Sequence, residues 1–246
     1  MKRVVAGPRA VAEAVRARAG AVNVVYVEEG ARKGLRELEG ELRARQVKVE
    51  ERPRAELDAL VPEGRHQGVV AITGEYPYVS LEEALLAARE RPLLVALDEI
   101  TDPHNLGAIV RSAVAFGADA VLTLKDRAAP VTPVVVRASA GATEHARIAR
   151  VTNLARTLAS LGEDHGMQIV GMAMDGEVEI SELPEAEGGR VIVIGSEGKG
   201  MRPLVRRQCT VIARIPMEGP VASLNASVAA GIALHAASRA RARELA

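Results

Sequence analysis

Arg111 stands out because its side chain is charged while its neighbours are apolar. It follows Asn105 and Gly107 in the run DPHNLGAIVRSAVAFG. If this run is helical, the guanidinium lies about one and a half turns into it, where it must find an anion or line a cavity. Two structural alternatives stay open: Asn105 could cap the helix, and Arg111 could pair with Asp98 or Glu99. The pattern indicates an anion-binding position or an internal ion pair.

A second candidate is the glycine-rich loop Gly195–Gly200, GSEGKG, which directly follows the apolar run VIVI. Its glycines would let the backbone approach a ligand closely. The spacing differs from the dinucleotide fingerprint, and it is not a phosphate loop because Met201 follows Gly200 where G-K-[ST] is required. The carboxylate of Glu197 suits a ligand with hydroxyls or positive charge better than a triphosphate. The structural alternative is a tight turn with a solvated glutamate.

The third candidate is the run Ile215–Gly231, IPMEGPVASLNASVAAG. Ser223 or Asn225 is expected to cap the helix that follows, whose small residues would let another helix or chain approach closely.

The sequence shows no motif for metal-dependent or nucleophilic catalysis. The histidines show no paired metal spacing, no G-x-S-x-G elbow is present, and Cys209 lies among polar neighbours, which favours a structural role. We therefore expect no metal.

The elements that must position these loops alternate along the chain. Apolar runs typical of strands are LLVALDE, AVLTL, ARIARV, MQIVGMAM, RVIVIG and TVIARI. Helices are predicted between or after them at Leu106–Phe116, after Pro133, at Asn153–Leu161, after Pro203 and from about Ser223 to Glu244. Continuous apolar strands between helices indicate a parallel sheet covered on both faces. Ligands bind beyond the carboxyl ends of such strands, where all three loops lie.

The first 73 residues predict a separate small α/β unit. Its expected elements are a helix opened by Pro8, a strand Ala21–Val27, a helix Ala31–Arg43, a helix after Pro53 with Leu57 and Leu60 inward, and a last strand Val69–Thr73. Gly74–Val79 is interpreted as a linker. Ser80 with Glu83 then forms the capping-box pattern of the helix LEEALLAARE.

Composition bounds the class of protein. The 246 residues are 48% hydrophobic and 26% charged, which is typical of a globular chain and excludes a disordered one. No apolar run reaches the ~18 residues that span a bilayer, and no export signal is recognised. One cysteine excludes an internal disulfide framework, so a cytoplasmic protein is expected. Residues 1–72 carry 14 Lys and Arg against 11 Asp and Glu, a weak basic excess.

The three loops carry a resemblance to a known family. Asn105-Leu-Gly with Arg111, then IGSEGKGMR, then IPMEGPVASLNASVAAGIALH resemble, in order and spacing, the three motifs of the SpoU (TrmH-type) RNA 2′-O-ribose methyltransferases of the SPOUT class. The first 73 residues, ending in HQGVVA, resemble the ribosomal-protein-like RNA-binding domain of the bacterial enzymes that methylate a guanosine in 23S rRNA.

The resemblance implies an α/β fold in two parts. Residues 1–73 would form the RNA-binding domain, residues 74–90 a linker and connecting helix, and residues 91–246 a Rossmann-like parallel-sheet SPOUT domain with a C-terminal trefoil knot. The family acts as a homodimer with the active site at the knot interface. The expected partners are therefore 23S rRNA and a second copy of the chain, with no membrane.

The same resemblance implies a cofactor and roles for residues. The methyl donor would be S-adenosylmethionine, contacted largely through backbone groups by Gly195, Ile215 and Leu224, with Ser196, Gly198 and Met217 nearby. Transfer would depend on Arg111, Asn105, Glu197, Ser223 and Asn225. Because a guanidinium is always charged, Arg111 would more naturally grip phosphate and stabilise a developing alkoxide than act as a base.

Recognition of RNA is assigned to basic residues of the first part. The candidates are Arg9, Arg16, Arg18, Arg32, Lys33 and Arg36, and ordinary solvated helix faces are the structural alternative. With few aromatics, recognition would depend on charge, shape and hydrogen bonds. Two functional alternatives stay open: a related enzyme acting on an rRNA adenosine or a tRNA guanosine, and a non-catalytic knotted RNA-binding protein. The presence of Asn105, Arg111, Glu197 and Asn225 argues against the latter.

Overall fold

The computed structural model describes residues 3–30, 35–61, 66–221 and 223–245. The chain divides into two compact units. The first comprises Met1–Pro77 and Pro130–His145, and the second comprises Tyr78–Ala129 and Ala146–Ala246. One segment from the middle of the chain therefore folds with the N-terminal residues.

The helices and strands follow one another in chain order. They are β1 (Arg3–Ala6), α1 (Pro8–Arg18), β2 (Val22–Glu28), α2 (Arg36–Ala44), β3 (Val49–Arg52), α3 (Arg54–Leu60), β4 (Val69–Thr73), α4 (Leu81–Leu86), β5 (Leu93–Asp98), α5 (Pro103–Ala115), β6 (Ala120–Leu124), α6 (Pro133–Ala138), β7 (Ile148–Val151), α7 (Leu154–Glu163), β8 (Gln168–Met172), β9 (Val178–Glu179), β10 (Arg190–Gly195), α8 (Pro203–Arg206), β11 (Val211–Arg214) and α9 (Ala226–Glu244).

The first unit is built on a sheet with the strand order β1-β4-β2-β3. The central strand β4 is buried on both faces, and its side chains alternate between two cores because successive residues of a strand point to opposite sides. Val69 and Ala71 pack with residues of α1 and α2, whereas Val70 and Ile72 pack with Leu57 of α3. The apolar run VVAIT is explained by this burial on both sides.

The segment 130–145 completes the first unit. Val136 of α6 is buried in the same core as Val69. Glu144, whose side chain is only 1% exposed, binds the guanidinium of Arg3 through both oxygens, at 2.6 and 2.9 Å. The hydroxyl of Tyr76 donates a hydrogen bond of 2.8 Å to the carbonyl of Thr143. No pattern in the sequence indicated that this segment folds with the N-terminal residues.

The second unit is built on a parallel sheet with the strand order β7-β6-β5-β10-β8-β11-β9. Side chains of β5 alternate between its faces, so Leu94 lies in a core with Leu158 of α7 and Val205 of α8. Helices α5 and α9 pack against each other, and Phe116 meets His235 edge to face with ring centroids 5.3 Å apart. This arrangement confirms the predicted α/β fold with a small N-terminal unit and a parallel sheet.

Several predicted boundaries are wrong. Helix α5 begins at Pro103 and is capped by Asp102, whose carboxylate accepts a 2.9 Å hydrogen bond from the amide of His104; Asn105 is therefore not the cap. Helix α9 begins at Ala226, after its cap Asn225, rather than at about Ser223. Helix α4 keeps the predicted capping box but ends early, at Leu86.

The first unit also differs in detail from the prediction. Leu60 was expected to face inward but is 37% exposed, because it ends α3. The predicted helix 31–43 begins at Arg36 within the described residues, and residues 31–34 lie outside them. Strands β1, β3 and β9 were not predicted: β1 and β3 have four residues each, β9 has two, and β3 (VEER) is charged.

The trefoil knot stays a prediction. Among the described residues, no helix is long and apolar enough to cross a bilayer.

We predict that Glu144→Gln destabilises the protein by about 3–5 kcal/mol, because it leaves the largely buried guanidinium of Arg3 without its charged partner. The matched control is Glu41→Gln, which removes a partner of the exposed Arg16 and is expected to cost only about 0–1 kcal/mol. Urea unfolding monitored by circular dichroism measures both. Equal effects of the two substitutions would contradict the prediction.

Candidate active site

The site lies at the carboxyl edge of the parallel sheet. Strands β5 and β10 are neighbours in parallel register, so that Asp98 pairs with Gly195 at their last positions. Asn105 in the first turns of α5 follows one strand, and the glycine loop 195–200 follows the other. The first and second candidate loops are therefore brought together, as expected for strands that end at the same edge.

One carboxylate oxygen joins all three candidate loops. Glu197 Oε1 accepts a hydrogen bond of 2.9 Å from Asn105 Nδ2, another from Asn225 Nδ2, and a longer one of 3.4 Å from the amide of Ala226. Asn225 Nδ2 also donates to Asn105 Oδ1 at 3.0 Å. Asn105, Glu197 and Asn225 form the Glu197 cluster. Its second carboxylate oxygen, Oε2, accepts no hydrogen bond from the described residues.

Asn225 combines a structural and a site role. Its Oδ1 accepts hydrogen bonds from the amide and the hydroxyl of Ser227, at 2.8 and 2.6 Å, as the cap of α9. Its Nδ2 is thereby left to point at Glu197 and Asn105. The sequence offered Ser223 or Asn225 as this cap, and the structure decides for Asn225. Ser223 is exposed and forms no hydrogen bond with the described residues.

The glycine loop is closed at its base by backbone contacts. The amide and carbonyl of Ser196 pair with those of Gly200, at 3.1 and 2.9 Å. A Cβ on Gly195 would lie 2.2 Å from the carbonyl carbon of Gly200, so only glycine fits there. Gly198 and Gly200 have positive φ angles of 75° and 65°, with open space where a Cβ would be. The loop therefore presents bare backbone to solvent at these glycines.

The third loop contributes apolar side chains to this edge. Met217 and Leu224 are 39% and 36% exposed, and Ile215 is partly buried. The expected backbone contacts of Ile215 and Leu224 with a cofactor stay predictions, as do those of Gly195, Ser196, Gly198 and Met217.

Arg111 lies on α5 with an exposed side chain, and it forms no hydrogen bond or ion pair with the described residues. It is thus not bonded to Asn105, Glu197 or Asn225, and its expected role in transfer stays a prediction. The alternative pairing of Arg111 with Asp98 or Glu99 is wrong, because both acids bind other arginines.

Those other arginines were missed by the sequence reasoning. The buried Asp98 binds Arg202, and Glu99 contacts Arg127 at 2.8 Å and Arg202 at 3.6 Å. The available signal was an acid at the end of a wholly apolar strand, which must find a partner when buried. The partner itself lies 104 positions away, too far for any local pattern to identify.

The basic residues expected to bind RNA differ in their exposure and in the side chains that they contact. Arg16 is held by Glu41 and Glu13, and Arg18 lies over the ring of Tyr76 at 5.8 Å from its centroid. Arg9 is exposed. Residues 32 and 33 and the side chain of Arg36 lie outside the described part of the structure. The RNA-binding face stays a prediction.

Cys209 is not activated. Burial raises the pKa of its thiol to about 11, and its sulfur lies 4.0 Å from that of Met201. Within the described residues, no group of three or more His, Cys, Asp or Glu side chains is placed to hold a metal ion.

Comparisons with known proteins fit this geometry. Residues 92–235 match the SpoU rRNA Methylase family, and residues 4–79 match the RNA 2′-O ribose methyltransferase substrate binding family. The chain belongs to the SpoU family. The matched ranges contain the Glu197 cluster and the sheet of the first unit, respectively.

Three similar proteins give the extent of the similarity. An uncharacterized tRNA/rRNA methyltransferase of Mycolicibacterium smegmatis is 48% identical over 80% of this chain, which spans only 63% of that relative. The 23S rRNA (guanosine-2′-O-)-methyltransferase RlmB of Pseudomonas putida is 46% identical over 79% of each chain. The SpoU methyltransferase AviRb from Streptomyces viridochromogenes, crystallised with the cofactor AdoMet, is 29% identical over 98% of this chain and 91% of its own, with a TM-score of 0.81.

We predict that Asn105→Ala and Asn225→Ala are coupled in stability, because both side chains bind Glu197 and each other. The double variant should deviate from the sum of the single variants by about 0.5–3 kcal/mol in free energy of unfolding. The control pair is Asn225→Ala with Asn153→Ala, the cap of α7, which shares no partner with the cluster; it should be additive within about 0.5 kcal/mol. Additivity of both pairs would contradict the arrangement described here.

Proposed function

We propose that this protein transfers a methyl group from S-adenosylmethionine to the ribose 2′-hydroxyl of a specific guanosine in 23S rRNA. The observation that carries the proposal is the Glu197 cluster, which joins the three family motifs at one sheet edge. Membership in the SpoU family supports RNA ribose methylation. The similarity to RlmB favours the guanosine of 23S rRNA as the target.

The residues present fit S-adenosylmethionine. The left-handed glycines 198 and 200 leave open space beside bare backbone, and Met217 and Leu224 offer exposed apolar surface for an adenosyl group. When bound, the cofactor would supply a methyl group whose carbon an oxygen nucleophile can attack, because the bond to the positively charged sulfur breaks and a neutral thioether leaves. The cofactor AdoMet is present in the structure of AviRb, which supports the same donor here.

The protein must then position and polarise a ribose hydroxyl. Holding the two reactants in line can supply ~7–11 kcal/mol of the barrier. Glu197 is fixed through Oε1, so its Oε2 can accept a hydrogen bond from the hydroxyl and take up its proton as the ribose oxygen is methylated. Arg111 has no bond to a described residue, so its guanidinium is available to grip a phosphate and stabilise developing negative charge on the ribose oxygen. Ser223 would help to orient the ribose.

The first unit would select the RNA. The match of residues 4–79 to a substrate-binding family supports this role. Arg9 is exposed and can contact a phosphate. Arg16 is already paired with Glu13 and Glu41, which disfavours a phosphate contact at that residue. With rRNA as the substrate, the protein would act in the cytoplasm.

The decisive experiment incubates the protein with tritiated S-adenosylmethionine and 23S rRNA fragments, then maps the labelled nucleotide. We expect label on a single guanosine ribose. Label on an rRNA adenosine or on tRNA would replace the proposed substrate while keeping the reaction. No label with any RNA, together with no cofactor binding, would contradict the proposal and favour a non-catalytic RNA-binding protein.

We predict that Arg111→Ala leaves cofactor binding within about two-fold of the wild type, while the transfer rate falls by about 100-fold or more, as expected for a lost charge-stabilising donor. Calorimetry measures the first quantity and single-turnover labelling the second. Arg239→Ala, at an exposed position on α9, is the control and should change neither. Wild-type turnover in the Arg111 variant would remove this residue from the mechanism.

We also propose that the chain works as a homodimer through the start of α9. Leu224 lies directly before the cap Asn225, and Val228 and Ile232 lie on the first turns of α9; they are 36%, 49% and 39% exposed. An exposed apolar stripe of this kind is typical of an association surface. It adjoins the Glu197 cluster, and the family resemblance indicates a second copy as its occupant.

We predict that Val228→Glu combined with Ile232→Glu yields a monomer, because two carboxylates on an apolar interface cannot be solvated or paired. Sedimentation velocity measures the mass. Leu86→Glu is the control, since this residue is 87% exposed on α4 and outside the stripe; it should remain dimeric. A dimer in both variants would place the interface elsewhere.

A further inference from the structure

Asp98 is a fully buried carboxylate at the end of β5, and a single residue satisfies both of its oxygens. The amide of Arg202 donates to Oδ2 at 2.7 Å, and its Nε donates to Oδ1 at 2.7 Å. Its Nη2 also lies 2.7 Å from Oδ1. A buried charge is costly unless it is paired and hydrogen-bonded. The position of Arg202 is therefore tightly specified by Asp98.

Asp98 lies next to the chain at both ends of the glycine loop. The chain leaves β10 at Gly195, the register partner of Asp98, and returns to Asp98 at Arg202. Between these points residues 197–200 are exposed. The loop is thus held at its base by Asp98 and at Glu197 by Asn105, and both of these holding residues belong to the segment that runs from β5 into α5.

Glu99 reinforces the same junction. It has a positive φ of 59°, which is uncommon for a residue other than glycine, and it lies where the chain turns from β5 toward the cap of α5. Its carboxylate contacts Arg202 at 3.6 Å and Arg127 at 2.8 Å. The guanidinium of Arg202 is therefore held between two acids, while its side chain stays 30% exposed.

We propose that Asp98 and Arg202 are positioning residues that set the glycine loop and, through it, the carboxylate of Glu197. Neither residue is required to touch the methyl donor or the RNA. The consequence for the donor rests on the proposed function, whereas the fixing of the loop does not. Loss of the guanidinium contacts from Arg202 to Asp98 should loosen the loop and misplace Glu197. A displacement of about 1 Å can reduce a rate by about 100-fold.

The first test needs no ligand. Hydrogen–deuterium exchange is measured on the cofactor-free wild type, on Arg202→Gln and on the control Arg206→Gln. The control removes another arginine–aspartate pair, between Arg206 of α8 and the exposed Asp175. We expect exchange of the paired amides of Ser196 and Gly200 to rise at least ten-fold in Arg202→Gln and to stay unchanged in Arg206→Gln. Unchanged loop exchange in Arg202→Gln would overturn the proposal.

The second test measures function. Arg202→Gln should weaken S-adenosylmethionine binding by about ten-fold and lower kcat, while the KM for RNA stays at the wild-type value. Arg202→Lys keeps the positive charge but not the paired Nε and Nη2 contacts of the guanidinium. It should recover part of the loss. A lower melting temperature with unchanged cofactor affinity and kcat would mean a merely structural pair and would also overturn the proposal.

A third variant guards against misfolding. If Asp98 in Arg202→Gln keeps only the backbone amide of residue 202 as a partner for its buried charge and the protein unfolds, Asp98→Asn with Arg202→Gln replaces the ion pair by two neutral amides and is measured in its place. If the wild type neither binds the donor nor labels RNA, the proposed function fails, whereas the exchange data still decide whether Asp98 and Arg202 fix the loop.

Discussion

Hydrogen bonds from two remote segments converge on one oxygen of Glu197, and the geometry of the site depends on them. Asn105 and Asn225 lie 92 and 28 positions from Glu197 in the chain. Because their amides donate to the same oxygen, the carboxylate has a fixed orientation and leaves its other oxygen without a hydrogen bond from the described residues. A solvated glutamate in a flexible turn would have no fixed orientation, so the cluster is what converts a glycine loop into a candidate reaction centre.

The parallel sheet makes this convergence possible. Since β5 and β10 run side by side in the same direction, the loops after them emerge at one edge. The same register places Asp98 next to the first residue of the glycine loop. Helix α9 then brings its cap, Asn225, to the loop by packing against α5. Asn225 is both the cap of α9 and a member of the Glu197 cluster, so the residue that begins the helix also helps to build the site.

The first unit shows a different use of remote contacts. Segment 130–145 lies in sequence within the stretch that matches the SpoU family, yet it folds with the N-terminal sheet. The buried pair of Arg3 with Glu144 spans 141 positions. Family boundaries drawn along the sequence and compact units drawn from contacts therefore divide this chain differently, which matters for any attempt to express the substrate-binding part alone.

The sequence by itself determined the fold class and the neighbourhood of the site. Strands buried on both faces have continuous apolar runs, so β4, β5, β6 and β10 could be predicted, whereas the charged edge strand β3 and the two-residue β9 carry no such pattern. It also offered Asn225 as a cap, a local property. Only the tertiary structure decided that Asp98 binds Arg202 and that Arg111 is left without a partner among the described residues. A partner is chosen by distance in space, and periodicity along the chain does not encode which of many arginines a buried carboxylate will meet.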